Sequence, residues 1–170
     1  MAMKRNYTAL QYKSIIRKLK TASPNLTFTS DIIIGFPGET EADFDATVKL
    51  MTDVGFDYSF SFLYSPRPGT PAVFIKDDTP QATKLARLSR LQAINEVQGD
   101  AISRAMLGSV QRVLIDGASR KDANLLAGKT DNNRVVDIAG ESQLINQFVN
   151  VTITDVSNPR RLVGDIILAK

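Results

Sequence analysis

The sequence predicts an α/β region followed by an all-β domain, on three observations. Three isoleucines, Ile32 to Ile34, precede Gly35, as expected of a strand that is buried on both faces of a parallel sheet and ends in a sharp turn. Residues 57–65 alternate between aromatic and mostly serine positions, which is typical of a second strand. From about Leu107 the hydrophobic period changes from helical to alternating, and Gly, Asn and Pro separate five short runs. We therefore expect a parallel α/β region and then a five-stranded barrel of the oligonucleotide-binding type.

Composition limits the functions that this chain can perform by itself. Its 170 residues suffice for one ordinary domain or two small ones, and a hydrophobic content of 43% allows a real core. The sequence contains no cysteine and no histidine, which excludes disulfides, thiolate metal sites and Cys or His catalysis within the chain. A net charge of +3 is too small to prove a polyanionic partner. No apolar run reaches membrane-spanning length and no signal-peptide pattern opens the chain, so we expect a cytoplasmic protein with no membrane partner.

The first helix is predicted from a capping box at Thr8 to about Lys20. Its buried stripe is expected to contain Tyr12, Ile15, Ile16 and Leu19, which recur at helical spacing. The basic residues on its other side indicate either a solvated face or an RNA contact, and the solvated face is the favoured interpretation.

A turn follows the triple isoleucine and leads into the second helix. Thr40 is expected to cap a helix over residues 41–54, with Phe44 and Met51 on its inner side. The glycines of the turn match neither the dinucleotide-binding nor the P-loop pattern. The turn is therefore either a ligand site at the carboxyl end of a strand or only a tight connection.

The second strand is expected to pack its aromatic face, which contains Phe60 and Phe62, under helices. Its serine face would then line the lumen of a partial barrel, where a ligand needs room; an antiparallel strand with a solvated serine face is the alternative. Arg67 follows between two prolines, which hold it on a stiff loop. It is either a contact for a carboxylate or phosphate or an ordinary surface arginine.

A third helix is predicted to begin after Thr79 and to reach about Met106, as a bridge between two domains. Its inner side is expected to contain five apolar residues, namely Leu85, Leu88, Leu91, Ile94 and Ile102. The five strands of the second domain are predicted at residues 110–115, 125–129, 135–138, 148–156 and 162–168.

Basic and amide side chains lie in or beside the turns of this second domain, where they could form one RNA-binding rim. They are Arg120, Lys121, Lys129, Asn132, Asn133, Arg134, Arg160 and Arg161. Turn chemistry and ordinary solvation explain them equally well. Eight Lys or Arg against seven Asp or Glu after residue 106 give little bulk charge, and no surface aromatic is expected to stack a base, which weakens the RNA interpretation.

Several segments together resemble one family over nearly the whole chain. They are Met-Lys-Arg-Asn-Tyr-Thr at residues 3–8, Ser-Asp-Ile-Ile-Ile-Gly-Phe-Pro-Gly-Glu-Thr at 30–40, Phe-Ser-Phe-Leu-Tyr-Ser-Pro-Arg-Pro-Gly-Thr-Pro at 60–71, Gln-Arg-Val-Leu at 111–114 and Gly-Lys-Thr-Asp-Asn-Asn-Arg-Val-Val at 128–136. In this order they resemble the C-terminal half of the MiaB-type tRNA methylthiotransferases, which are radical S-adenosylmethionine (SAM) enzymes. Ribosomal-protein methylthiotransferases share the glycine turn, but the segments around Arg67 and Arg134 favour the tRNA branch.

The resemblance implies a domain organisation and a chemistry. Residues 1–105 would be the C-terminal portion of a radical SAM partial (β/α) barrel, and residues 107–170 a TRAM β-barrel that binds RNA. The intact enzyme would add a methylthio group to C2 of an N6-isopentenyl-type adenosine beside the anticodon, with SAM and two 4Fe-4S clusters. Such clusters are held by cysteine thiolates. Since this chain has none, it is expected to be a fragment that is inactive alone, with no metal ligands and no catalytic residues of its own.

Site residues and partners are also implied by the resemblance. Asp31 would contact the SAM ribose, and a turn made of Gly35, Pro37, Gly38 and Glu39 would lie near the adenosyl group. The residues that would contact RNA are Arg67, Arg112, Arg120, Lys121, Lys129, Asn133, Arg134, Arg160 and Arg161. The expected partners are tRNA and the missing N-terminal half of the enzyme, with dimerisation or strand exchange possible at the open edge of the half-barrel.

Overall fold

The structure is a computed structural model that describes Met3 and residues 5–167, and the chain forms two compact units, Met1–Gln98 and Gly99–Lys170. The first contains α1 (Ala9–Ala22), β1 (Thr29–Ile34), α2 (Glu41–Val54), β2 (Tyr58–Leu63) and a short 3-10 helix (Pro71–Phe74). The units divide within α3 (Gln81–Ala105). The domain boundary predicted from the sequence, after residue 105, coincides with the end of that helix and stays a prediction. The second unit contains β3 (Val110–Ala118), β4 (Leu126–Thr130), β5 (Val135–Ile138), a 3-10 helix (Ser142–Leu144), β6 (Phe148–Asn158) and β7 (Arg161–Ile166).

The fold class is confirmed, because an α/β region precedes a closed five-stranded barrel. In the first unit β1 and β2 pair in parallel, from Thr29 opposite Tyr58 to Ile34 opposite Leu63. The helix starts follow from their capping boxes, in which Thr8 and Thr40 each exchange hydrogen bonds with the residue three positions on. The core of this unit consists of Ile16, Ile34, Phe44, Met51, Val54, Phe56 and Leu91.

The expectation that the triple isoleucine is buried on both faces is wrong within the described residues. Ile34 is fully buried and Ile32 is half-buried, but Ile33 is 39% exposed. Helices cover only one face of the β1–β2 sheet, and successive side chains of a strand point to opposite faces. Strand β1 therefore has one open face, on which Asp31 and Ile33 lie.

The predicted orientation of β2 is also wrong. Ser59 is buried, whereas Phe60 and Phe62 are 49% and 53% exposed. On the covered side, Ser59 N–H donates to Asn95 Oδ1 at 2.9 Å and Asn95 Nδ2 donates to Ser59 O at 3.3 Å. Small serine side chains let α3 approach the sheet this closely, so the aromatic residues occupy the open face instead.

Two helices bury fewer apolar residues than their patterns predict. Ile15 and Leu19 of α1 are 54% and 41% exposed, and Leu85 of α3 is 51% exposed. In the first unit α3 instead buries Arg87, Leu91 and Asn95, which recur every four residues. Among the helices of residues 5–167, none combines the length and the apolar character that a membrane crossing requires.

The second unit is a closed barrel with the strand order β3-β4-β5-β7-β6, which the pairing of β3 with β6 completes. All pairs are antiparallel except β5 with β7. Its core consists of Met106, Val113, Ile115, Leu126, Val136, Ile138, Val151, Ile153 and Leu162. All five predicted strands are confirmed, although the predicted end of the last one, Leu168, lies outside the described residues.

Changing Gly128 to alanine should destabilise this barrel. A Cβ atom at Gly128 would lie 2.5 Å from Leu114 O and 2.6 Å from Val113 Cγ1, so β3 and β4 would have to separate. Overpacking of this kind costs about 1–3 kcal/mol, which should lower the thermal midpoint by several degrees. The exposed change Ala118→Ser at the end of β3 is the control, and equal midpoints for both variants in a thermal melt would contradict the close approach.

Candidate functional site

The turn that follows β1 has the residue pattern of a type II turn. Glu39 N–H donates to Phe36 O at 2.9 Å, Pro37 occupies the second position, and Gly38 at the third has a φ of 84°. Only a residue that tolerates positive φ suits that third position, which accounts for the glycine. The turn thus brings Gly35, Pro37, Gly38 and Glu39 together at the carboxyl end of β1.

Glu39 holds this turn from the covered side. Its carboxylate accepts hydrogen bonds from Gly35 N–H at 2.9 Å and from Arg87 Nη1 at 3.1 Å. Arg87 also donates to Glu39 O and to the carboxylate of Glu41. The side chains of Arg87 and Glu39 are only 8% and 10% exposed. The predicted cofactor residue Glu39 therefore has a structural role, which no pattern in the sequence indicated.

The two glycines of the turn differ in their surroundings. A Cβ atom at Gly35 would lie 2.7 Å from Lys84 Cδ, because the side chain of Lys84 crosses the turn on its way to an ion pair with Asp77. At Gly38 a Cβ atom would meet nothing within 4 Å, and the residue is exposed. Gly38 and the exposed Asp31 are thus the predicted cofactor residues that a ligand can reach.

A cavity of about 480 Å³ lies beside this turn. It is lined by Met3, Arg5, Ile33, Phe36, Phe62, Leu63, Tyr64, Ser65, Arg67, Thr70, Pro71 and Ala72. The predicted site residue Arg67 is among them, on a loop in which Thr70 N–H and Oγ1 both donate to Arg67 O. The rings of Phe36 and Tyr64 meet edge to face at 5.1 Å. Arg5 is a second cationic residue here that sequence analysis missed, although it belongs to a family-like segment.

In the second unit the Thr-Asp-Asn-Asn-Arg segment at residues 130–134 closes the β4–β5 turn. Thr130 N–H donates to Arg134 O, and Arg134 N–H donates to Thr130 Oγ1, both at 3.0 Å. Asn133 has a φ of 63°, a conformation that asparagine tolerates better than most residues. Arg134 is 3% exposed, and its Nε donates to Ser103 Oγ at 2.7 Å. The predicted RNA contacts Asn133 and Arg134 therefore shape the turn, and the guanidinium faces the interior.

Arg161 is also held within the barrel. Its Nε donates to Asp137 Oδ2 at 2.5 Å, and its Nη2 donates to Ser119 Oγ at 2.9 Å. The hydrogen bond from Arg161 lowers the pKa of the Asp137 carboxyl, with smaller contributions from Ser119 and the charge of Lys121. Four other predicted RNA residues, Arg120, Lys121, Lys129 and Arg160, are exposed.

An exposed aromatic residue lies on the outside of the barrel, against the expectation that no surface aromatic is present. Phe148 is 57% exposed, and the guanidinium carbon of Arg112 lies 4.2 Å from the centroid of its ring. The alternation of Val149, Val151 and Ile153 toward the core could have predicted this position, since it directs Phe148 outward.

The part of the chain that the structure describes contains no group of three or more metal-ligating side chains placed to hold a metal ion. The complete sequence has no cysteine, so it supplies no ligands for iron–sulfur clusters.

Removing the guanidinium of Arg87 should destabilise the first unit far more than removing that of Arg90. Arg87→Met leaves the Glu39 carboxylate buried without its partner, which typically costs about 3–5 kcal/mol. Arg90 is 52% exposed and pairs with the exposed Asp45, so Arg90→Met should cost at most about 1 kcal/mol. Denaturant unfolding measures both. Glu39→Gln combined with Arg87→Met should recover part of the loss, and strictly additive effects would contradict the coupling.

The ion pair between Asp137 and Arg161 should make the barrel sensitive to acid. Because folding lowers the pKa of Asp137, its stabilisation is complete above the unfolded value of about 3.9 and is lost as the pH falls through the folded value. Asp137→Asn should cost about 1.5–3 kcal/mol at neutral pH and flatten the fall in thermal midpoint below about pH 4. The exposed change Asp116→Asn is the control, and a wild-type slope in Asp137→Asn would disprove the linkage.

Comparison with known proteins adds family evidence to this geometry. Residues 104–167 match the TRAM domain family. The tRNA-2-methylthio-N(6)-dimethylallyladenosine synthase of Methylobacillus flagellatus is 66% identical over 167 residues, which are 98% of this chain and 38% of that protein. The synthases of the same name from Bordetella avium and Chromobacterium violaceum are 59% and 54% identical, over 90% and 100% of this chain and 32% and 38% of their own lengths.

The chain thus spans about 38% of the length of the first of these relatives. Almost all of this chain, 98%, takes part in that match. We conclude that this chain is related to the MiaB-type tRNA methylthiotransferases, as its motifs predicted, and that its residues 104–167 form a TRAM domain.

Proposed function

We propose that this chain is part of a tRNA methylthiotransferase that adds a methylthio group to C2 of an N6-isopentenyl-type adenosine next to the anticodon. The observation that carries the proposal is the 66% identity to a synthase of that name over 98% of the chain. A match at this level over both units favours shared chemistry over a shared fold alone. Such an enzyme acts in the cytoplasm, where its tRNA substrate is found.

The open side of the first unit suits SAM. The Asp31 carboxylate would accept hydrogen bonds from the ribose hydroxyls, and Gly38 would let the adenosyl group approach the backbone, since no atom lies within 4 Å of a Cβ position there. One SAM molecule would supply the methyl group, and a second, cleaved with one electron from an iron–sulfur cluster, would supply the 5′-deoxyadenosyl radical and leave methionine. Glu39 and Arg87 would position the turn without touching the ligand.

The two 4Fe-4S clusters do not fit this chain, because it has no cysteine to hold them. The cluster ligands would come from the N-terminal half of the enzyme, which is thus the first partner of this chain. By itself the chain would bind but not catalyse. Dimerisation or strand exchange through β1 and β2 stays a prediction.

The substrate adenosine would enter the cavity beside the turn. The rings of Phe36 and Tyr64 offer apolar surface to a base or a prenyl group, and the cationic Arg5 and Arg67 can meet phosphates. On the TRAM barrel the exposed Arg120, Lys121, Lys129 and Arg160 would contact the tRNA backbone. Arg134 and Arg161 are excluded from that surface because the guanidinium of Arg134 is bound to groups of α3 and that of Arg161 is bound to Asp137.

An RNA-binding module without catalysis is the second candidate. The closed barrel and its own hydrophobic core favour it, because they allow the TRAM domain to act as a binding unit. A fragment of a ribosomal-protein methylthiotransferase is a weaker alternative, since the named relatives are tRNA-2-methylthio-N(6)-dimethylallyladenosine synthases.

A chimaera tests the proposal directly. This chain would replace the matching segment of the Methylobacillus flagellatus relative, and the clusters would be reconstituted without oxygen. Mass analysis of nucleosides from treated tRNA should then show the methylthio group.

Asp31→Ala should weaken SAM binding about tenfold, because one hydrogen bond to a charged group is lost, whereas Asp45→Ala should leave SAM binding unchanged.

A chimaera that carries both clusters but never modifies tRNA would contradict the catalytic proposal. Salt-dependent RNA binding by that protein would then leave the binding module as the function. Unchanged SAM affinity in Asp31→Ala would remove that residue from the cofactor site while leaving the rest of the proposal intact.

A further inference from the structure

We propose that Phe148 and Arg112 form a stacking site for an unpaired RNA base on the outer face of the TRAM barrel. The inference deepens the proposed RNA binding and rests on it. It concerns side chains on β3, β4 and β6, away from the turns to which sequence analysis assigned most RNA contacts.

Strand register brings the two residues to one face. Leu114 pairs with Phe148 and Arg112 pairs with Asn150 across the β3–β6 ladder. Val149 and Val151 point toward the core, so Phe148 and Asn150 point outward. A ring that is 57% exposed on a strand presents its surface to solvent at a defined position.

Arg112 contributes a cation without burying the ring. Its guanidinium carbon lies 4.2 Å from the ring centroid, a cation–π distance that restrains both side chains. Its contact with Asp131 is long at 3.8 Å, and both side chains are largely exposed, at 59% and 76%. An exposed pair of this kind contributes little, so the guanidinium can exchange it for a phosphate.

Lys129 adds a second cation, at a distance from Phe148 that suits a neighbouring phosphate of the same RNA strand. Leu114 pairs with Lys129 on one side and with Phe148 on the other, so the two lie two strands apart, about 10 Å at the usual strand spacing. Arg112 lies against the ring, and Lys129 lies on the far side of Leu114 from it, so one aromatic ring has two cations at increasing distance, which matches the alternation of base and phosphate in a single strand. The charge complementarity favours RNA over an apolar protein partner, which would need a larger uncharged patch.

Binding of the full-length chain to two labelled RNAs tests the site. One RNA is a hairpin with an unpaired loop, and the other is a fully paired duplex of the same composition. Phe148→Leu keeps the apolar contacts but loses the ring, and should weaken hairpin binding about tenfold, the usual effect of losing one stacked base. Phe148→Trp should stay within about twofold of wild type, and duplex binding should change little in either variant.

Arg112→Gln should weaken hairpin binding and reduce the salt dependence by about one phosphate contact. Arg17→Gln, a change of an exposed arginine on α1, is the matched charge control. Val97→Ala, a change of an exposed apolar residue of α3, is the control for general loss of apolar surface. Neither control should alter either affinity.

Each other outcome overturns the inference in a distinguishable way. Wild-type hairpin binding by a folded Phe148→Leu protein would remove the stacking site and leave the proposed RNA binding standing. Equal losses of affinity for the hairpin and the duplex would show that this face does not select unpaired bases. Absence of binding to either RNA in the wild type would overturn this inference and the RNA-binding part of the proposed function together. If Phe148→Leu does not fold, the wild-type chain is tested with a hairpin that carries a fluorescent adenine analogue in its loop. Stacking on Phe148 should quench the fluorescence, and binding without quenching would overturn the inference.

Discussion

Backbone groups that a helix covers must find hydrogen-bond partners, and α3 supplies them with polar side chains. Arg87 donates to Glu39 O, and Asn95 bonds both backbone groups of Ser59. In the second unit Ser103 Oγ donates to Pro159 O at 2.6 Å. These side chains interrupt the apolar stripe that a packed helix normally shows, although Leu91 of the same helix is fully buried in the core. Each would be costly to bury without its partner, so together they determine which loops and strands the helix holds.

This constraint separates residues whose polar groups have internal partners from exposed residues within the same motifs. The turn after β1 is held by Glu39, Arg87 and Lys84, whereas Gly38 and Asp31 are exposed. The second unit shows the same division, since the guanidinium groups of Arg134 and Arg161 bond other groups of that unit, while the side chain of Arg112 is 59% exposed. A residue in a family motif is therefore assigned to binding only after its hydrogen bonds are accounted for.

The hydrophobic periodicity of the sequence predicted the helices and strands well, but it did not predict which face of each strand is covered. The alternation in β2 shows that Phe60 and Phe62 share one side, yet it cannot say which side the helices cover. Aromatic residues normally occupy covered faces, and here the close approach of α3 at Asn95 requires the small serines instead. The burial of Arg87 and Asn95 could not be predicted from the sequence either, because the groups that they bond are distant from them in the chain. By contrast, the outward position of Phe148 was available from the pattern of its own strand.

The small net charge of the chain bears on how its barrel would hold RNA. Contacts between exposed cations and phosphates depend steeply on salt, and here acidic residues offset nearly all of them in number. A stacked base contributes free energy that salt affects little, and it selects unpaired over paired RNA. A barrel with few net charges and one exposed ring would thus bind RNA modestly but distinguish unpaired loops from paired stems.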